Sequence, residues 1–134
     1  MITPTEEGPD GLVEDLFTAM LAVNSWTLEK AYSILPGLKA EGLLDLGWLR
    51  NAPKEEIAVR LNRAGYTRGT FMLGSMTDRL KSLALHFDAQ ALSELRRHIV
   101  SREFDKVNEM LSRVDGIGPS VLQKFKILIE STKI

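Results

Sequence analysis

Apolar residues recur at three- and four-residue spacing along almost the whole chain, and no stretch alternates apolar and polar for long enough to make a half-buried strand. No Asn-Gly or Asp-Gly hairpin pattern joins two such stretches. This pattern restricts the chain to an all-α fold. We expect a compact multi-helix bundle of about six to eight short helices, each in the usual length range. At 134 residues the chain fits one domain over 12–134, preceded by a flexible acidic lead over 1–11.

The spacing places the elements. Leu12, Leu16, Met20 and Val23, with Phe17 beside them, predict a buried helix over 12–23. Asn24-Ser25 breaks it, and Ser25 is placed to cap a second helix whose inner face is Leu28, Ala31, Tyr32 and Leu35. Pro36-Gly37 is expected to end that helix. A short helix near 39–46 should stop at Gly47. Asn51 then reads as an N-cap with Pro53 just inside the helix, and Gly65 as the left-handed residue that ends it. Thr67 is expected to cap a long helix over 67–86, Asp88 a segment over 89–99, and Ser101 another with Phe104, Val107 and Leu111 inward.

Composition narrows function. The chain has no cysteine, which excludes a disulfide framework, a cysteine-ligated zinc finger, an iron–sulfur cluster on this chain and a thiol nucleophile. Two histidines do not suffice for a zinc site built mainly on imidazole. No apolar run approaches a membrane span of 18 residues, so no membrane partner is expected. The acidic N-terminal residues are the opposite of a secretory signal, and the expected location is the cytoplasm. A net charge of −1 conceals an asymmetry. Residues 1–59 hold 4 basic and 10 acidic residues, whereas residues 60–134 hold 13 basic and 8 acidic. Two explanations stand open: solvated scatter on a helical surface, or a basic C-terminal half that faces a polyanion.

The segment 111–132 carries the most chemistry. Val114 and Asp115 lead into Gly116-Ile117-Gly118-Pro119-Ser120, and a new helix begins. Two glycines around one β-branched residue permit a tight turn with close approach of something outside. Pro119 suits the first helical turn because it has no N–H to leave unpaired there. Amides of the turn and of the helix N-terminus make an anion site. Lys124, one turn into the helix, is placed to reach a neighbouring phosphate, and Ile117 to plug inward.

This segment resembles the helix–hairpin–helix motif, in which a hydrophobic residue and one further residue precede Gly-hydrophobic-Gly and a second helix. In such proteins the hairpin holds a DNA strand by backbone N–H contacts to phosphate. Those contacts position a protein without reading sequence. The DNA-binding residues so implied are Gly116, Ile117, Gly118, Pro119, Ser120 and Lys124. The resemblance allows a monovalent cation at the turn and calls for no other cofactor. One departure is Leu122, where the motif usually carries a small residue.

The resemblance extends upstream. Leu16 to Asn24 followed by Leu28-Glu29-Lys30-Ala31, and then Arg63-Ala64-Gly65-Tyr66, are similar to the first helices of the endonuclease III-like DNA glycosylases. That similarity runs over residues 12–132 in the same order, with the hairpin last. It implies an outward-flipped base and cleavage of its glycosidic bond, assisted by an aspartate beyond the hairpin's second helix. Only 14 residues follow Ser120 here, without an aspartate, and Glu130 is their one carboxylate. The lysine nucleophile of bifunctional members is replaced by Ser120, which argues against lyase chemistry.

The expected function is therefore non-catalytic, sequence-independent binding of double-stranded DNA through its phosphate backbone, linked to DNA repair. Two alternatives remain. The first is a minimal or split glycosylase of base excision repair, using a displaced carboxylate such as Glu130. The second is a protein-interaction module that keeps the fold without DNA, favoured by a pI near 6.1. Asn24 falls near the glutamine that fills the gap of a flipped base in the family, but reads more simply as a helix end. Trp26 and Trp48 could stack on a base or belong to the core. His86 and His98 have no partner spacing. Arg96, Arg97 and Arg102 form a basic cluster, either a solvated face or a phosphate track. Asp115 opposes phosphate at the turn.

Overall fold

The computed structural model describes residues 11–23 and 26–131. These residues form nine α-helices and no strand, in agreement with the all-α expectation. In chain order they are α1 (Leu12–Leu21), α2 (Leu28–Ser33), α3 (Leu35–Ala40), α4 (Leu46–Asn51), α5 (Lys54–Ala64), α6 (Thr70–His86), α7 (Ala89–Val100), α8 (Phe104–Leu111) and α9 (Pro119–Ser131).

Helix α1 sits at the centre. Leu12, Val13 and every residue from Leu16 to Leu21 are buried. Only Glu14 and Asp15 of this helix are not buried, so it must be covered on most sides. It packs against α2 and α9, so the first and last helices close the fold together. Thr18 is tolerated there because its hydroxyl donates to the Glu14 carbonyl at 2.8 Å. Around it, α6 packs on α4 and α5, α3 on α5, and α7 on α8. One continuous apolar cluster runs from Leu12 to Ile129.

Two cations close helix ends across the α4–α6 contact. The Lys81 ammonium donates to the carbonyls of Leu49, Arg50 and Ala52 at 3.0, 3.3 and 2.7 Å. Arg50 returns the arrangement, donating to Ala84 and Phe87 carbonyls at 2.6 and 2.8 Å. Each helix supplies the cation for the other's unpaired carbonyl end.

Several expected boundaries move. Pro36 stands in the first turn of α3 rather than ending α2, as suits a residue with no N–H to pair. Gly47 lies inside α4, whose N-cap is Asp45, accepting from the Trp48 amide at 3.1 Å. Asn51 ends α4, and Pro53 is the N-cap of α5. Gly69, not Thr67, precedes α6. Ser101 is the C-cap of α7 instead of an N-cap, because Arg102 turns left-handed at φ 57° and delays the next helix to Phe104. The Asp88 cap is present, accepting from the Ala91 amide at 2.8 Å. Asn24 and Ser25 lie outside the described residues; the cap of α2 is Thr27, which accepts from the Lys30 amide.

Candidate functional site

The turn between α8 and α9 is pinned from below. Val114 and Ile117 are 2% and 7% exposed, so both aliphatic side chains face the core as the sequence pattern requires. The Ile117 amide donates to the Val114 carbonyl at 3.2 Å and closes the turn. Gly116 has φ +91°, a conformation that L side chains rarely adopt. Gly118 does not share that constraint. A β-carbon built on it meets nothing within 4 Å, so the space above Gly118 is open. Pro119 is the first residue of α9, and Ser120 is exposed.

Backbone donors at this turn divide into used and unused. The Asp115 amide donates to Ser82 Oγ at 3.0 Å. The Leu122 amide donates to the Gly118 carbonyl at 3.0 Å, as the first bond of α9. The amides of Gly116, Gly118, Ser120 and Val121 find no backbone acceptor among the described residues. These donors lie on the turn or at the positive end of the α9 dipole, where an anion is favoured.

Helix α6 supports the turn from outside the α8–α9 segment. Ser82 holds the Asp115 amide, and Arg79, three residues earlier on the same face, lies across Gly116. Arg79 is partly buried and makes no hydrogen bond or ion pair with any described residue. An arginine in that state keeps five donors for a ligand. The spacing of Arg79 and Ser82 is visible in the sequence. Nothing there says that this face of α6 meets the turn 33 residues later.

Lys124 is placed differently from the sequence expectation. Its ammonium donates to the Ala22 carbonyl at the end of α1 and so ties α9 to α1. The neighbouring Val23 carbonyl accepts from Arg68 Nη1 at 2.7 Å. Arg68 also stands over the Trp26 and Tyr66 rings, which meet edge to face with centroids 5.0 Å apart. The Tyr66 hydroxyl is buried and makes no hydrogen bond of ordinary geometry among the described residues, with Arg68 close by. Burial pushes its pKa up, while Arg68 and then Arg79 pull the other way.

The remaining candidates are mostly engaged. Trp48 is covered by Arg60 at 4.3 Å. His98 is buried, its Nδ1 bonded to Glu103 at 2.9 Å and its Nε2 3.8 Å from Glu94. His86 Nδ1 donates to the Ser82 carbonyl at 2.9 Å. Glu130 pairs with Arg102 at 3.6 Å. Arg97 is exposed, and Asp115 is exposed on the turn. Among the described residues no group of three or more acidic or histidine side chains could hold a metal ion, and no helix is long and apolar enough to cross a membrane.

No known protein family, curated protein or solved structure matches this chain.

Proposed function

We propose that this protein binds the phosphate backbone of double-stranded DNA, independent of sequence, through the Gly116–Ser120 turn. The observation that carries this reading is the conjunction at one spot of unused backbone donors and an arginine that has no carboxylate partner among the described residues. The amides of Gly116, Gly118, Ser120 and Val121 take no backbone acceptor, and the Arg79 side chain crosses Gly116 beside them. Such a set favours a tetrahedral anion with several acceptor oxygens. Contacts of this kind fix a protein on a duplex and carry no base information.

In this mechanism each residue has a separate task. Ile117 anchors the turn in the core, and Gly116 provides the backbone reversal. Gly118 leaves room for the phosphate, and Pro119 starts α9 without adding a donor that needs a partner. Arg79 supplies the cation. Lys124 acts through α1, by holding α9 in place, instead of touching the ligand. The resemblance to helix–hairpin–helix proteins supports the same reading and is the basis for linking the activity to DNA repair.

Fluorescence anisotropy of a labelled duplex at rising salt tests this. The wild type is expected to bind at low salt and to weaken as salt rises. Gly118→Val should abolish binding while circular dichroism stays near wild type, because the substituted side chain enters the space left for the ligand and its β-carbon meets no protein atom within 4 Å. Arg79→Ala should weaken binding about tenfold, the scale of one charge-assisted contact. Unchanged binding by folded Gly118→Val removes the turn from the mechanism. A second reading, a protein-interaction module, is favoured by one observation. Phe71 is 84% exposed at the start of α6, beside a groove that includes Val59 and Leu73. Absence of duplex binding at low salt would select it.

A further inference from the structure

The corner between α7 and α8 carries an arrangement that the turn does not explain. Arg102 occupies the left-handed region, the only non-glycine described residue to do so. Its amide donates to the Ile99 carbonyl at 3.0 Å and the Glu103 amide to the His98 carbonyl at 2.9 Å. This is the helix ending that ordinarily selects glycine. A long cationic side chain at such a position is a local strain, and strain of this kind concentrates where a side chain has a task.

The Arg102 guanidinium stands 5.4 Å from the Phe104 ring centroid, and the Lys126 ammonium 4.9 Å from the same ring. One ring thus gathers two cations from different elements. Lys126 is exposed and makes no ion pair with a described residue. Beneath Arg102 and Phe104 lies a cavity of 250 Å³, whose other walls are Ile99, Ile129 and Glu130. Ile99, Phe104 and Ile129 give it apolar walls, and at its edge Arg102 stands against the Glu130 carboxylate.

We infer that this corner is a second nucleic-acid contact, taking one sugar-phosphate unit of the strand held at the glycine turn. The deoxyribose lies on Phe104 and Ile129, and its phosphate sits between Arg102 and Lys126. The inference rests on the proposed DNA reading and extends it. The placement suits one continuous strand. Lys126 follows Pro119 by seven residues on α9, about 10 Å along a helix axis. Phosphates of one strand recur about every 3.4 Å of duplex axis, so with α9 laid along that axis the two contacts would be about three nucleotides apart. Glu130, 3.6 Å from Arg102, competes with the phosphate and gives up Arg102 on binding.

The test compares the salt dependence of duplex binding by wild type and the double variant Arg102→Gly/Lys126→Ala. The Arg102→Gly change relieves the left-handed strain, so the double variant is expected to fold. Loss of this one phosphate contact should lower the slope of log affinity against log salt by about 0.9. Glu130→Gln should tighten binding roughly threefold, the scale of one exposed charge pair. A double variant with the wild-type slope and affinity overturns this second contact and leaves the turn reading intact. A wild type with no salt-dependent duplex binding overturns the turn reading, and this contact with it.

Discussion

The side chain of Arg79 crosses Gly116 so closely that a β-carbon on Gly116 would stand 2.4 Å from Arg79 Cδ and 2.7 Å from Cγ. The glycine is thus required by φ +91°, and a β-carbon there would also displace the flexible arginine side chain above it. Gly116→Ala should destabilise the protein by about 1–2 kcal/mol from the backbone alone, with a further loss for displacing Arg79. In an Arg79→Ala background only the backbone part remains. Urea unfolding of the four proteins in this cycle measures the difference. An equal loss in both backgrounds would show that the contact carries no energy.

Two other glycines separate packing from propensity. A β-carbon on Gly37 would meet the Ala64 carbonyl oxygen at 2.4 Å, where backbone of α3 rests on backbone of α5. Neither side can rotate away, so Gly37→Ala should cost about 3 kcal/mol or more. Gly74 stands inside α6 with nothing within 4 Å of a built β-carbon. Gly74→Ala should instead stabilise by about 0.5–1 kcal/mol, by removing freedom from the unfolded chain. Thermal or urea midpoints that move in the same direction for both variants would contradict this assignment of roles.

These glycines also show how much was legible beforehand. The turn was readable because its residues are contiguous. Val114, Gly116, Ile117, Gly118 and Pro119 specify inward, reversal, inward, open and helix start within six positions. The Asp88 cap and the buried α1 were readable for the same reason. Pro36 and Ser101 are ambiguous in the sequence, since proline suits both the end of one helix and the first turn of the next. Serine likewise fits either end when the following residue turns left-handed. Arg79, Ser82 and the inward turn of Lys124 depend on which helix faces meet. That is settled by packing between segments 33 to 102 residues apart. No local pattern encodes it.

The exchange of cations between α4 and α6 gives a third expectation. Lys81 is partly buried and bridges three carbonyls of the α4 end. Lys81→Met keeps most of the packing stem and leaves those carbonyls without the ammonium. The loss should be about 2–3 kcal/mol, in the range for hydrogen bonds to a charged group together with carbonyls left unpaired. Hydrogen exchange in the last turn of α4 should quicken in the same variant, because that turn loses its closing group. A stability within about 0.5 kcal/mol of wild type, the usual scatter for surface changes, would mean that solvent satisfies those carbonyls equally well.

Acid should act on the α7–α8 corner through Glu103. His98 Nδ1 bonds to its carboxylate at 2.9 Å, and Lys106 stands 3.3 Å away. The hydrogen bond from His98, followed by that from Lys106, holds the Glu103 carboxyl below its ordinary value of 4.5. A carboxyl whose folded value is lowered binds its proton less readily in the folded state than in the unfolded chain. Its contribution is therefore complete above 4.5 and is lost as pH falls through the lower folded value. Glu103→Gln cannot titrate and should flatten the acid limb of stability below that pH. At neutral pH the amide oxygen still accepts from His98, so the variant should stay close to wild type there. The measurement is the urea midpoint from neutral pH downward for both proteins. If the two acid limbs run parallel, Glu103 does not couple this corner to pH.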